Sequence, residues 1–356
     1  MPLDPQAQML LESVRASGIP PFHTLPVEDA RQAMIDLFGK VKNPVSVHRI
    51  DNRDITGPAG PIPIRLYIPA GVGPFPVLVY YHGGGWVLGS LETHDPMWRE
   101  LSRVVGCVVV SVDYRLAPEH RFPVPLEDCY AAVDWVARHA SDLNIDAQRI
   151  AVGGDSAGGN LAAAVALTAR DRGTPPLACQ LLIYPALDYA FDTHSYRENG
   201  NDYFLTKDMM VWFWQRYLHD QEHGLYPQAS PLRAQNLYGL PSTLLLTAEF
   251  DPRRDEGKAY AERLRAVGVQ VEYRCYAGMI HGFLGWTSKL DVAAQAMVET
   301  AETLRIALNI RTCDRGLEAQ DTPETQITKQ QDAMVQHQVT SPSLQASSQV
   351  YAWETI

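Results

Sequence analysis

Paired cysteines, basic charge and long apolar runs are all missing from this chain, and each absence narrows what it can be. The five cysteines, Cys107, Cys129, Cys179, Cys275 and Cys313, are scattered singly, with no CxxC pair and an odd total. Most lie in apolar runs such as Val108-Val109-Val110, where a reduced thiol behaves as a small hydrophobe. A reducing compartment is therefore expected. Against 41 Asp and Glu there are only 30 Lys and Arg, a formal net charge of -11 and a pI near 5.4. Nucleic-acid binding draws its affinity from clustered Lys and Arg, so no nucleic-acid partner is expected. The segment Met1-Pro2-Leu3-Asp4-Pro5 lacks a basic stretch leading into an apolar one, and no later run approaches the length of a membrane span. A cytoplasmic location without a membrane span is the expectation. No internal repeat is present.

What is there suits a globular protein with one large core and a lid: 356 residues, 46% of them hydrophobic and 20% charged. Short β-rich runs alternate with helical patterns, the signature of a mostly parallel sheet flanked by helices. Residues 62–68 alternate as a half-buried strand, while 77–81 and 107–112 are continuous apolar runs suited to buried parallel strands. Further strands are predicted at 149–153, 178–184, 243–249 and 271–276, separated by helices near 125–139, 157–172, 254–267 and 289–309. This α/β order is interrupted between 187 and 237 by an aromatic-rich stretch without a clear strand, which reads as a helical cap. The predicted organisation is an N-terminal cap segment (1–45, with the amphipathic run 27–38), a first core part (46–186), the cap insertion (187–237), a second core part (238–310) and a tail (311–356). The tail is rich in Gln, Thr, Ser and Asp, and disorder is expected there.

The strongest chemical signal is Gly154-Asp155-Ser156-Ala157-Gly158, a G-x-S-x-G motif between a predicted strand and a predicted helix. In that context it is a nucleophile elbow, whose turn is so sharp that Ser156 is strained and only small neighbours fit. A bare motif of this kind arises by chance, and a Gly-rich turn can also hold phosphate. No Walker lysine follows, so the phosphate reading fails. The helix from Ala157 aims its free N–H groups and positive end at the site.

His82-Gly83-Gly84-Gly85-Trp86 directly follows the buried run 77–81. Residues without side chains let backbone N–H groups reach a substrate carbonyl, so two such donors with the N–H of Ala157 could hold an oxyanion. The chain order of such sites is Ser, then Asp or Glu, then His. Asp251 follows the strand 243–249 at once, whereas Asp255 and Glu256 read as helix first-turn residues and Glu249 as a packing carboxylate. Of eleven histidines, His281 alone lies after a strand downstream of Asp251; His94, His120, His139, His219 and His223 have no such context. His219 and His223 have i, i+4 spacing but no third ligand, so no metal is expected.

Together these segments resemble the hormone-sensitive-lipase-like bacterial carboxylesterases. The resemblance rests on His82-Gly83-Gly84-Gly85-Trp86, Asp113-Tyr114-Arg115-Leu116-Ala117-Pro118-Glu119, Gly154-Asp155-Ser156-Ala157-Gly158-Gly159-Asn160, Asp251-Pro252 with Arg254-Asp255-Glu256-Gly257, and His281-Gly282-Phe283. It implies the α/β-hydrolase fold with a helical cap over roughly residues 1–310, oxyanion donors at Gly84 and Gly85 with Ala157, and cofactor-free hydrolysis of short- to medium-chain acyl esters. Ser156 would form an acyl-enzyme, His281 would act as general base and acid, and Asp251 would orient it. Activity should then fall as pH drops through about 6 to 7. Trp86, Tyr184 and Phe283 are candidate pocket residues. The partner is a small-molecule ester, and a homodimer is left open. The alternatives are an amidase or deacetylase on the same triad, a non-catalytic ligand receptor and an interaction scaffold; the presence of His281 weighs against the receptor, and a tail that is a short appendage on a complete catalytic frame weighs against the scaffold.

Overall fold

The computed structural model describes residues 2–39 and 44–310. The tail predicted to be disordered, including Cys313, lies outside the described residues. The chain begins with helices α1 (Pro5–Ala16) and α2 (Val27–Phe38) and continues into the hairpin β1 (Arg49–Gly57) and β2 (Gly60–Ile68). There follow β3 (Phe75–Tyr81), α3 (Asp95–Leu101), β4 (Val108–Val112), α4 (Val124–Arg138), β5 (Ile145–Asp155), α5 (Ala157–Arg172) and β6 (Cys179–Ile183). The short helix α6 (His194–Asn199) and α7 (Lys207–Tyr217) fill the interruption. Then come β7 (Ser242–Phe250), α8 (Arg254–Ala266), β8 (Val271–Ile280) and α9 (Asp291–Ala307).

The strands form one sheet in the order β1-β2-β4-β3-β5-β6-β7-β8. The pairings β1 with β2 and β2 with β4 are antiparallel, and every pairing from β4 across to β8 is parallel. Strand side chains alternate between faces, so Val77, Val79 and Tyr81 enter one hydrophobic core and Leu78 and Tyr80 the other. All five are fully buried, which is why this segment reads as a continuous apolar run rather than an alternating one. At about 1.5–3 kcal/mol per buried large side chain, such central strands carry much of the fold's hydrophobic stabilisation. The first core takes in Leu126, Leu161 and Tyr260 from α4, α5 and α8; the second takes in Leu10, Trp98 and Leu304 from α1, α3 and α9.

The predicted strands and main helices match within a few residues, and α2 has the bounds of the amphipathic run. Helix α5 is stopped at Arg172 by Gly173 in the left-handed conformation (φ 70°), which lets the last turn close on itself. Strand β1 was not predicted. It pairs with β2 over its whole length, but only Ile55 of its nine residues is buried, so no apolar period marks it. Helix α3 was also not predicted, and β8 runs on to Ile280, four residues past the expected end. In such a sheet ligands are bound beyond the carboxyl ends of the parallel strands. Those ends bring His82, Ser156, Asp251 and His281 to one edge.

Candidate active site

Strand β5 ends at Asp155 and α5 starts at Ala157, leaving one residue to reverse the chain. Ser156 does so at φ 59° and ψ -120°, a conformation that costs about 1–3 kcal/mol in a residue with a side chain. It is held there from both directions. The Ser156 N–H donates to Ile183 O at 2.9 Å, and Ser156 O accepts from Asn160 N at 3.1 Å and Ala186 N at 3.2 Å. The Asn160 side chain in turn donates to Ala186 O and Ala229 O, both at 2.7 Å.

Ser156 Oγ lies 3.2 Å from His281 Nε2, and His281 Nδ1 lies 2.7 Å from Asp251 Oδ2. Asp251 is fully buried; its other oxygen accepts the Arg253 N–H at 2.9 Å. Burial alone would raise the Asp251 pKa, but the charge and hydrogen bond of His281, with Arg253, outweigh it and hold the carboxyl below its ordinary range. For His281, burial lowers the pKa, Asp251 pulls it up and Arg253 pushes it down; the net shift is downward. A short bond to a buried carboxylate fixes the imidazole with Nδ1 as donor and leaves Nε2 free to accept from the serine.

The glycine loop after β3 is tied to the elbow. Gly83 N donates to Asp155 Oδ1 at 3.1 Å, and the same oxygen accepts Tyr80 OH at 3.1 Å. Asp155 Oδ2 lies 3.3 Å from His94 Nε2. Burial pushes Asp155 up, yet His94 and Tyr80 overcome it and its pKa is lowered. Gly84 and Gly85 sit at φ 116° and 62°, and their N–H groups make no hydrogen bond among the described residues. The Ala157 N–H is in the first turn of α5, where no intrahelical acceptor exists. Three backbone donors therefore border Ser156 unspent.

A cavity of about 120 Å³ opens on Ser156 and His281. Gly84, Gly85 and Tyr184 line it, together with Phe22, Met34 and Phe38 from the N-terminal segment and Phe204, Met209 and Phe213 from the insertion. Two expected pocket residues stand elsewhere. Trp86 is fully buried, stacked on Tyr217 with ring centroids 4.3 Å apart, and Phe283 is buried against Tyr184 and Tyr276. Neither lines the cavity: Trp86, at φ 62°, turns its indole under α7. His94, which sequence reasoning set aside, does line it. His219 and His223 are 6.5 Å apart between ring centroids, and no group of three metal-ligating side chains occurs among the described residues.

Glu256 stands in the first turn of α8, as expected, but it is turned inward rather than toward water. It is buried, and Oε2 accepts Leu187 N at 2.8 Å and Asp188 N at 2.7 Å, fastening the start of the insertion to α8. Burial pushes its pKa up to about 8, against the pull of Arg253 and the two N–H groups. A carboxyl raised above its unfolded value of about 4.5 stabilises the fold at acid pH, and that contribution is lost as pH rises through about 8. Glu256→Gln keeps an oxygen for both N–H groups without the charge. Its melting temperature relative to the native protein is expected to climb between pH 5 and pH 9, by the equivalent of a few kcal/mol, roughly. A difference independent of pH would show that Glu256 does not titrate there.

A strained serine, an imidazole and a buried carboxylate in line, with free backbone donors alongside, define a serine hydrolase. The chain belongs to the hormone-sensitive-lipase-like family of alpha/beta hydrolase fold, which it matches over residues 78–285. It is 44% identical over 317 residues to the carboxylic ester hydrolase LipN of Mycobacterium tuberculosis, covering 86% of this chain and 84% of LipN. To the carboxylesterase NlhH of the same organism it is 44% identical over 252 residues, 70% of this chain and 79% of NlhH. The crystal structure of a thermostable esterase from Pseudomonas putida superposes with a TM-score of 0.84 at 40% identity, covering 87% and 99% of the two chains. The protein is a carboxylic ester hydrolase.

Sequence reasoning gave no role to Arg253 or Asp155, set His94 aside and did not foresee the burial of Glu256. Nothing in spacing distinguishes a buried Arg from a solvated one.

Proposed function

We propose that Ser156, His281 and Asp251 hydrolyse short- to medium-chain acyl esters through an acyl-enzyme, with Gly84, Gly85 and Ala157 as oxyanion donors. The observation that carries this reading is the unbroken line from Ser156 Oγ to Nε2 at 3.2 Å and from Nδ1 to Asp251 at 2.7 Å. His281 takes the serine proton as Oγ attacks the ester carbonyl, and the carbonyl electron pair moves onto an oxygen facing the free N–H groups. Each such donor stabilises the transition state by about 3 kcal/mol. Collapse expels the alcohol, which leaves with the proton from Nε2. Water repeats the sequence on the acyl-enzyme, while Asp251 stabilises the transient imidazolium.

Acyl length follows from space. A cavity of about 120 Å³ is of the order that holds a benzene ring, and its large apolar side chains are chiefly Phe and Met. We assign cap roles to residues 1–45 and 187–237 because both supply those walls. Across a nitrophenyl-ester series, kcat/KM is expected to peak between the acetyl and octanoyl esters. A maximum at the palmitoyl ester would make this a long-chain lipase, and faster turnover of matched anilides would favour the amidase alternative. No helix among the described residues is long and apolar enough to cross a membrane, and Cys107, Cys129, Cys179 and Cys275 are free. Both observations are consistent with a cytoplasmic location.

A further inference from the structure

Arg253 is among the largest fully buried side chains, at 2% exposure. A guanidinium out of water normally faces a carboxylate, yet among the described residues none lies within 4.0 Å of it. The two nearest acids are engaged elsewhere: Asp251 with His281 and the Arg253 backbone N–H, Glu256 with the N–H groups of Leu187 and Asp188. Arg253 Nη2 donates instead to Tyr184 O, and it lies 3.3 Å from Ser156 Oγ, 3.3 Å from His281 Nε2 and 3.4 Å from His281 Nδ1. It is nearly equidistant from the two ring nitrogens, so it is not bonded along the lone pair of one of them. Its N–H does point at the serine oxygen.

We propose that Arg253 is a further catalytic residue, a buried cation that stabilises negative charge on Ser156 Oγ and keeps the neighbouring imidazole neutral between proton transfers. The inference rests on the triad reading above. In acylation, Nε2 removes the Oγ proton while Oγ bonds to the carbonyl carbon, and the Arg253 N–H supports the charge that builds on Oγ beforehand. In deacylation, water gives a proton to Nε2 and its oxygen bonds to the acyl carbon. The C–Oγ bond then breaks, the electron pair returns to Oγ beside Arg253, and Nε2 hands back the proton. Atoms and charge balance in both halves without a further reactant.

The same cation acts on proton affinity. His281 faces Asp251 from the end of β7, Asp155 from the end of β5, Tyr184 after β6 and Arg253 itself. Around Arg253 stand Asp251, Glu256 on α8 and Tyr196 on α6. Glu256 keeps its proton up to about 8, so at neutral pH it does not cancel the guanidinium. A cation this close to the imidazole disfavours imidazolium, and the enzyme stays active at lower pH than an ordinary histidine would allow.

The test is the pH dependence of kcat and kcat/KM for a short-chain nitrophenyl ester, with full-length native protein, Arg253→Met, Arg253→Lys and Ser156→Ala. The native acid limb is expected below the ordinary histidine value of about 6.5. Arg253→Met is expected to raise the limb by about one pH unit and to lower kcat about tenfold with KM little changed. Arg253→Lys should bring the limb back toward the native position. An Arg253→Met profile that superimposes on the native one overturns the proposal. If Arg253→Met does not fold, the native limb decides, and a value at or above about 6.5 overturns it. Activity surviving in Ser156→Ala would instead bring down the triad reading, a separate outcome.

Discussion

Ser156→Ala is expected to lower kcat for a nitrophenyl ester by about 10⁴- to 10⁶-fold while leaving the protein folded. Triad members act as a unit, so removing the oxygen leaves His281 and Asp251 with nothing to activate. What survives is the contribution of the donors at Gly84, Gly85 and Ala157, which can still polarise a carbonyl for attack by water. The substitution is clean because Ala and Ser share a Cβ. The strain at φ 59° is the same in both, and the backbone bonds to Ile183, Asn160 and Ala186 are untouched. The melting temperature should therefore change little, or rise, since residues chosen for reactivity are seldom chosen for stability. Equal hydrolysis rates in the two proteins would exclude Ser156 as the nucleophile.

Gly158→Ala is expected to cost about 3 kcal/mol or more of stability, and about 100-fold in kcat in whatever protein still folds. A Cβ at 158 would stand 1.9 Å from Tyr81 O, 2.6 Å from Tyr81 C and 2.7 Å from His82 O. These are backbone atoms of the strand that carries the glycine loop, and they cannot rotate away as a side-chain tip can. The first turn of α5 must retreat from the end of β3, which separates Ala157 from Gly84 and Gly85. A misplacement of about 1 Å between reacting groups costs on the order of 100-fold. Thermal unfolding with single-turnover kinetics would check both halves. A variant with native stability and native turnover would show that the elbow and the glycine loop are not packed as described.

Gly154 meets the same constraint from the other side, with a would-be Cβ 2.3 Å from the backbone of Gly158. The motif glycines are thus explained by one close approach between β3, β5 and α5, and less by turn conformation. Sequence reasoning named the right residues and only part of the reason. The pocket shows the opposite pattern. Trp86, Tyr184 and Phe283 all stand beside the strand ends and were all candidates for the cavity, yet only Tyr184 reaches it. One residue of backbone rotation decides such a question. At Trp86 a positive φ sends the indole onto Tyr217 and Trp214, where it pins α7 to the glycine loop.

Linear order was enough for the parallel sheet and for the strand-to-helix turn at Ser156, because periodicity reports burial and the G-x-S-x-G spacing reports the turn. Among eleven histidines, chain order singled out the one that lies between Ser156 and Asp251 in the structure. Tertiary structure alone decided the edge strand β1, the burial of Arg253 and Glu256, and the pairing of His94 with Asp155. Each of these depends on which distant segment faces a polar side chain, and a polar residue looks the same in a sequence whether water or another element surrounds it.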